Sequence, residues 1–417
     1  MKKFVFLLFN AVVLPLFALE ITPDKSDHSY KNGDKITFNI QLDKGRINTP
    51  FIVQLQGNRY LAPVQKLVSD ENGRAKLTVT ADRPGFIRVK VSDNGKIAAA
   101  AVAVDKEMIL PARERPERFD RLWNRVKKNI ELAPIQYESK EIPSDVKGFK
   151  TYELTILMPG EEAPPLYAVL TVPARAVPGR SAAMVYFHDA GIDKAAPLYR
   201  SGTIVLSVNP LPVKHDGEQG ETLKEGGAFY GYPHWGIDDL EKNCFLPMFK
   251  RAYRAVQFIR DQREWDGRTL IVTGSGQGGA QAIVAAGLEP KVSMCIALSP
   301  TLGNHGGFEN GGESGWPRFH QDENSYAANP DKVLNMLDFI EVCFFAQTIR
   351  QAEVCIYAGY NDQLTPASAV FAIYNSIPSP AKTVFTAVRG DHKIPAEIEK
   401  EILKRMAIHI RKQQTFR

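Results

Sequence analysis

Thr269-Leu270-Ile271-Val272-Thr273-Gly274-Ser275-Gly276-Gln277-Gly278-Gly279-Ala280 is the stretch whose reading decides the fold of this chain. A β-branched apolar run reads as a buried strand, and a glycine-rich turn follows it. Ala280-Gln281-Ala282-Ile283-Val284-Ala285-Ala286-Gly287 then reads as a helix. A strand, a tight turn and a helix form the local frame of a nucleophile elbow or of a phosphate-binding loop.

The elbow pattern is Gly-x-Ser-x-Gly. Gly274 and Gly278 take its two small positions, so the nucleophile position falls on Gly276. The serine stands one place early, at Ser275. In a frame centred on Ser275 the flanking positions become Thr273 and Gln277, and Gln277 crowds a point where strand and helix meet. The competing pattern, Gly-x-Gly-x-x-Gly, is met by Gly274, Gly276 and Gly279. It also requires an acid at the end of the next strand to hold a ribose. That strand, Val292–Leu298, ends in Ser299-Pro300, which leaves a nucleotide-binding protein as a remote alternative.

The chain around this stretch alternates strands and helices. Strands are expected at Thr151–Leu157, Leu166–Val172, Ala182–Phe187 and Thr203–Val208. Further strands are expected at Val292–Leu298, Glu353–Ala358 and Thr383–Ala387. Helices are expected at Met248–Arg260, Leu337–Ile349, Ala367–Ser376 and from Ala396 onward. This alternation predicts a doubly wound α/β sheet with helices on both faces. Asp362 follows one late strand and His392 follows the next. The order elbow, acid, histidine is that of the α/β-hydrolases, and it makes Asp362 and His392 the candidate triad acid and base. Strand Ala182–Phe187 runs into His188-Asp189-Ala190-Gly191, where such a sheet places its second oxyanion donor. Gln277, next after the nucleophile position, is the other candidate oxyanion amide.

Upstream, alternating runs at Lys35–Ile40, Ala75–Thr80 and Phe86–Val91 are punctuated by Asn32-Gly33, Asn72-Gly73 and Asn94-Gly95. They predict an N-terminal immunoglobulin-like β-sandwich over 19–105, either a carbohydrate-contacting or interface module or a spacer. Pro116 opens an amphipathic helix whose inner face is Phe119, Leu122, Trp123, Val126 and Ile130, within a linker region at 106–134. The α/β-hydrolase domain occupies 135–417. Met1-Lys2-Lys3 and the apolar run to Ala18 read as a signal peptide over 1–18, so a secreted or periplasmic mature chain is expected. No other segment is long and apolar enough to span a membrane, so none is expected after cleavage.

Among 417 residues, 44% hydrophobic and 24% charged content argues for globular domains rather than disorder. The formal charge of +5 falls to +3 without Lys2 and Lys3, and its mixed distribution argues against a nucleic-acid patch. Cys244, Cys295, Cys343 and Cys355 sit in apolar runs without metal-ligand spacing, so neither metal nor cofactor is expected.

Several motifs carry a family likeness. They are Arg115-Pro116-Glu117-Arg118-Phe119-Asp120-Arg121-Leu122-Trp123, Val185-Tyr186-Phe187-His188, Thr273 to Gly279, and Gly315-Trp316-Pro317. The run Asp362-Gln363-Leu364-Thr365-Pro366-Ala367-Ser368-Ala369-Val370-Phe371-Ala372-Ile373-Tyr374-Asn375 is the most specific. From about Pro116 onward the chain resembles the acetylxylan esterases and cephalosporin-C deacetylases, carbohydrate esterase family seven. The resemblance implies removal of O-acetyl groups from poly- or oligosaccharides, with Asp362 and His392 as acid and base. It also implies a homo-oligomer, since family members form rings. The departures fall on the chemistry. Gly276 replaces the serine nucleophile, Ala190 replaces the oxyanion-loop tyrosine, and Asn209-Pro210-Leu211 replaces the family's Arg-Gly-Gln. Loss of a triad serine costs on the order of a million-fold in turnover, which rules out acyl-enzyme formation at Gly276. Three readings remain open: Ser275 as a shifted nucleophile, water activated by His392, or a pseudoenzyme that binds acetylated glycan.

Overall fold

The computed structural model describes residues 19–56, 64–160, 163–216, 218–310 and 312–415. The expected signal peptide lies outside the described residues. The N-terminal strands are β1 (Glu20–Pro23), β2 (Ser29–Tyr30), β3 (Lys35–Gln41), β4 (Pro50–Gln56), β5 (Gln65–Val68), β6 (Arg74–Thr80), β7 (Gly85–Asp93) and β8 (Lys96–Val104). They make a three-stranded sheet, β1-β3-β6, and a five-stranded sheet, β2-β8-β7-β4-β5. Alternation puts Ile36, Phe38, Ile40, Val53, Leu55 and Val89 into one shared core, as a sandwich requires.

The large sheet is formed by β9 (Tyr137–Ile142), β10 (Phe149–Ile156), β11 (Leu166–Pro173), β12 (Ser181–Phe187), β13 (Thr203–Val208), β14 (Trp265–Ser275), β15 (Met294–Leu298), β16 (Glu353–Gly359) and β17 (Lys382–Ala387). Its order is β17-β16-β15-β14-β12-β13-β11-β10-β9. The strands from β12 to β17 run parallel, and β9 to β11 form an antiparallel margin. The helices are α1 (Glu117–Leu132), α2 (Phe245–Arg260), α3 (Gln277–Leu288), α4 (Ser325–Ala328), α5 (Pro330–Leu337), α6 (Val342–Ala346), α7 (Ala367–Ser376) and α8 (Ala396–Thr415). The main core lies on the face covered by α1, α2, α3 and α7, while Ile402 and Met406 of α8 close a smaller core on the opposite face.

The two parts of the chain share packing. Phe86 of β7 meets Tyr360 edge-on at 4.9 Å and Phe371 at 5.5 Å. The Asn375 side chain donates to the carbonyls of Lys106 and Ile109 at 2.9 and 2.8 Å, which ties the connecting segment to α7.

Two local expectations are corrected. Of the helix expected over Leu337–Ile349 only the short α6 forms, and α5 ends at Leu337, where that helix was to begin. Asp338, between them, takes ion pairs from Arg113 and Arg118 at 2.8 and 2.6 Å. Glu341 accepts the Cys343 amide as the N-cap of α6, and also the amides of Asn304 and His305. Strand β9 is not among the strands expected from the sequence. Its residues, Tyr-Glu-Ser-Lys-Glu-Ile, are almost wholly exposed at the sheet edge and have no apolar alternation to betray it.

Candidate active site

The elbow forms in the Gly276 frame. Gly276, the N-cap of α3, has φ 53° and ψ −117°, in the left-handed half of conformational space that a side chain occupies only with strain. A Cβ on Gly274 would lie 2.4 Å from the Gly278 carbonyl carbon, and one on Gly278 would lie 2.1 Å from the Phe187 oxygen. Strand and helix therefore touch where the pattern requires small residues. Ser275 is still the last residue of β14, paired with Leu298. It lines a cleft of about 580 Å³ with Leu298, Asp362, Leu364, His392 and Ile394. Its hydroxyl makes no hydrogen bond with His392, both of whose ring nitrogens are taken by carboxylates.

Asp362 and His392 meet at the carboxyl edge of the sheet. Asp362 Oδ2 lies 2.8 Å from His392 Nδ1. Its other oxygen accepts the amides of Leu364 and Thr365 at 2.8 and 2.9 Å, so the carboxylate is fixed with its side chain 1% exposed.

The residue that the sequence reading did not assign is Asp189. Its Oδ1 accepts the amides of Gln277 at 2.9 Å and Ala190 at 2.7 Å. Its Oδ2 lies 3.3 Å from His392 Nε2. A Cβ built on Gly276 would stand 2.0 Å from Asp189 Oδ1. The carboxylate thus fills the space of the missing serine side chain and occupies both candidate oxyanion amides. The sequence held a signal for it. An acid sits beside Ala190, in the turn facing an elbow without a side chain.

The loop carrying Asp189 is anchored beyond it. Buried Asp193 accepts the Gly220 amide at 2.8 Å and the Thr222 hydroxyl at 2.7 Å. Asn209 accepts the Ala195 amide at 2.7 Å and donates to the Val213 carbonyl at 2.7 Å. Asn209 therefore braces this loop. The α3 N-terminus is filled by Asp189, and β15 runs on into Ser299-Pro300 without an acid, so the nucleotide frame finds no support.

Two carboxylates flanking one imidazole set its charge. His392 is pushed up to about 10, first by the hydrogen bond to Asp189, then by that to Asp362, against the opposing effect of burial. At neutral pH it is an imidazolium and cannot accept a proton. His188 is neutral instead, brought down to about 4 by burial alone. It stands edge-on to Tyr186 at 4.7 Å and makes no hydrogen bond to the Asp362–His392 pair. An Asp189→Asn variant should lower the His392 titration midpoint, followed by NMR of the imidazole nitrogens, because the larger of its two raising influences is gone. The linkage has a definite sign. A raised folded-state pKa adds stability that is full below about 6.5 and is lost as pH rises through about 10. The variant's deficit in thermal unfolding should therefore be large at pH about 6 and small near pH 10, and a deficit independent of pH would contradict the ion pair.

Residues 105–407 match the model of the acetyl xylan esterase (AXE1) family. The chain belongs to the acetyl xylan esterase family. The acetyl esterase Axe7A of Xylanibacter ruminicola is 26% identical over 380 residues, covering 88% of this chain and 85% of that protein. That share exceeds what the region from 105 onward can supply, so the likeness reaches into the N-terminal sandwich. The acetyl xylan esterase of Paenibacillus sp. R4 superposes with a TM-score of 0.61 at 19% identity, covering 73% of this chain and 98% of that one. Acetyl xylan esterase 1 of Thermoanaerobacterium sp. JW/SL YS485 gives 0.61 at 21%, covering 73% and 97%. These two likenesses carry the fold. The family motifs around Arg115 turn out to be packing devices. Arg115 donates to the Phe344 carbonyl at 3.2 Å and pairs with Asp120, and Trp123 Nε1 donates to the Phe339 carbonyl at 2.8 Å.

Proposed function

We propose that this acetyl xylan esterase-like α/β-hydrolase recognises acetylated poly- or oligosaccharide and does not deacetylate it by serine chemistry. One observation carries the reading. The Asp189 carboxylate stands where a serine side chain and an acyl oxyanion would have to be, held by Gln277, Ala190 and His392. An ester carbonyl arriving there finds both amide donors engaged, and donors to the developing oxyanion are ordinarily the largest single contribution to acyl transfer.

The two active readings fare worse. Ser275 lacks a base, because His392 is committed to two carboxylates. Water activation requires a neutral imidazole, which the same pair of carboxylates denies at neutral pH. Asp362, His392, Gln277 and Ala190 keep their proposed roles as acid, base and oxyanion donors in architecture, with the centre held shut by Asp189.

The reading extends to the whole chain. Residues 1–18 act as an export signal, 19–105 form the sandwich domain, 106–134 link it, and 135–417 form the hydrolase domain of a secreted or periplasmic protein. Among the described residues no helix is long and apolar enough to cross a membrane. The test uses the purified mature chain with 4-nitrophenyl acetate, acetylated xylan and a fluorophosphonate probe, alongside calorimetric titration with acetylated xylo-oligosaccharides. Binding without turnover or labelling is expected. Labelling at Ser275, or acetate release abolished by Ser275→Ala, would establish the shifted serine instead. Acetate release without labelling, lost in His392→Ala, would establish activated water.

A further inference from the structure

The segment between β13 and α2 leaves two large rings in solvent, Tyr230 at 55% exposure and Trp235 at 40%. Trp235 stacks on Phe229, with centroids 6.0 Å apart and planes 29° from parallel, and Phe229 packs against the main core. One face of the indole is thus backed by a fixed ring. Tyr232, between the two exposed rings in sequence, is buried and donates its hydroxyl to the Gln277 side chain at 2.7 Å. Gln277 follows Gly276, so this loop is pinned to the elbow itself. Its far end is also held. A Cβ on Gly236 would lie 2.3 Å from the Lys242 carbonyl carbon, and His234 Nδ1 lies 3.1 Å from Asp322 Oδ2.

Among the other exposed large hydrophobic residues described, one is aromatic: Tyr137, which sits on the edge strand and packs edge-on against Phe258. The remainder are not aromatic, and Ile52, Val68 and Ile97 among them share the outer face of the five-stranded sheet. The Trp235 indole N–H and the Tyr230 hydroxyl make no hydrogen bond to other described residues. Each ring therefore offers a flat apolar face and a free polar tip. A pyranose presents the complementary surface, an apolar face of C–H groups ringed by hydroxyls.

We propose that Trp235, backed by Phe229, and Tyr230 form a stacking subsite for the pyranose rings that flank the acetylated unit. The ligand class rests on the function proposed above. The platform is preorganised, because Phe229 packs half-buried against the core and Tyr232 is buried at the elbow, so binding orders little new structure.

The experiment titrates acetylated xylo-oligosaccharides and their chemically deacetylated counterparts into the natural chain, Trp235→Ala, Tyr230→Ala and, as a control, Leu110→Ala, which is 69% exposed. The natural chain should bind both ligands, the acetylated one more tightly. Trp235→Ala and Tyr230→Ala should each weaken both by roughly ten-fold, with unchanged thermal unfolding, while the control binds as the natural chain does. Ligand should also shield tryptophan fluorescence from acrylamide in the natural chain and less so in Trp235→Ala. Acetyl-dependent binding unaffected by either ring substitution overturns the platform alone. Ring-dependent binding indifferent to acetylation supports the platform and overturns acetyl recognition. No binding of either oligosaccharide by the natural chain overturns both.

Discussion

The double variant Asp189→Gly with Gly276→Ser is expected to release acetate from 4-nitrophenyl acetate and acetylated xylan at a rate at least about a hundred-fold above the natural chain. Removing a triad serine costs on the order of a million-fold, so even a partial restoration is a large effect. Gly276→Ser alone should fall well short of the double variant, because the displaced Asp189 carboxylate still crowds the centre. The serine Cβ would lie 2.0 Å from Asp189 Oδ1, so either the carboxylate is driven out of its hydrogen bonds or the serine never takes the elbow conformation. Taking away Asp189 does three things at once. It clears the space for the hydroxyl, frees the amides of Gln277 and Ala190 for an oxyanion, and removes the larger of the two influences that hold His392 protonated. Asp362 remains in place at 2.8 Å to orient the neutral imidazole. The elbow already has φ 53° and ψ −117° at Gly276, so the backbone needs no rebuilding. A double variant that folds normally, takes no fluorophosphonate label at the introduced serine and releases no acetate would show that the pair Asp189 and Gly276 is not what holds the centre shut.

The sheet and its edge were legible because they rest on strong local patterns. The apolar runs of β12 to β16 are buried on both faces and read as continuous hydrophobic stretches, and the acid and histidine follow their strands directly. The elbow glycines announced a close approach that the backbone contacts bear out. What escaped the sequence was cooperative. Asp189 matters because it reaches across to the amides of Ala190 and Gln277 and to the ring of His392, and no periodicity in its own loop reports partners that far away. The break between α5 and α6 has the same origin. Asp338 and Glu341 read as ordinary positions of an amphipathic run until Arg113, Arg118 and the amides of Asn304 and His305 are seen to claim them.

Gly278→Ala is expected to be the most damaging single methyl in the domain, destabilising it by about 3 kcal/mol or more, whereas Gly276→Ala should cost less. The two added carbons meet neighbours at almost the same distance, 2.1 Å from the Phe187 oxygen and 2.0 Å from Asp189 Oδ1. The difference lies in what can yield. At Gly278 all three nearest atoms belong to the backbone of Phe187 and His188, at the end of a central strand paired on both sides with β13 and β14. Relief requires α3 to move off the sheet. At Gly276 the three nearest atoms are the side-chain carboxylate of Asp189, which swings away by bond rotation. The cost there is the ion pair with His392 and the strain of a side chain at positive φ. Thermal unfolding by circular dichroism should therefore show a steep loss, or no soluble protein, for Gly278→Ala. Gly276→Ala should lose less, with a deficit that shrinks toward pH 10, where the ion pair is already lost, and with its His392 titration midpoint lowered. Equal losses for the two variants would mean that the strand–helix contact, rather than the carboxylate, is what fills the elbow at Gly276.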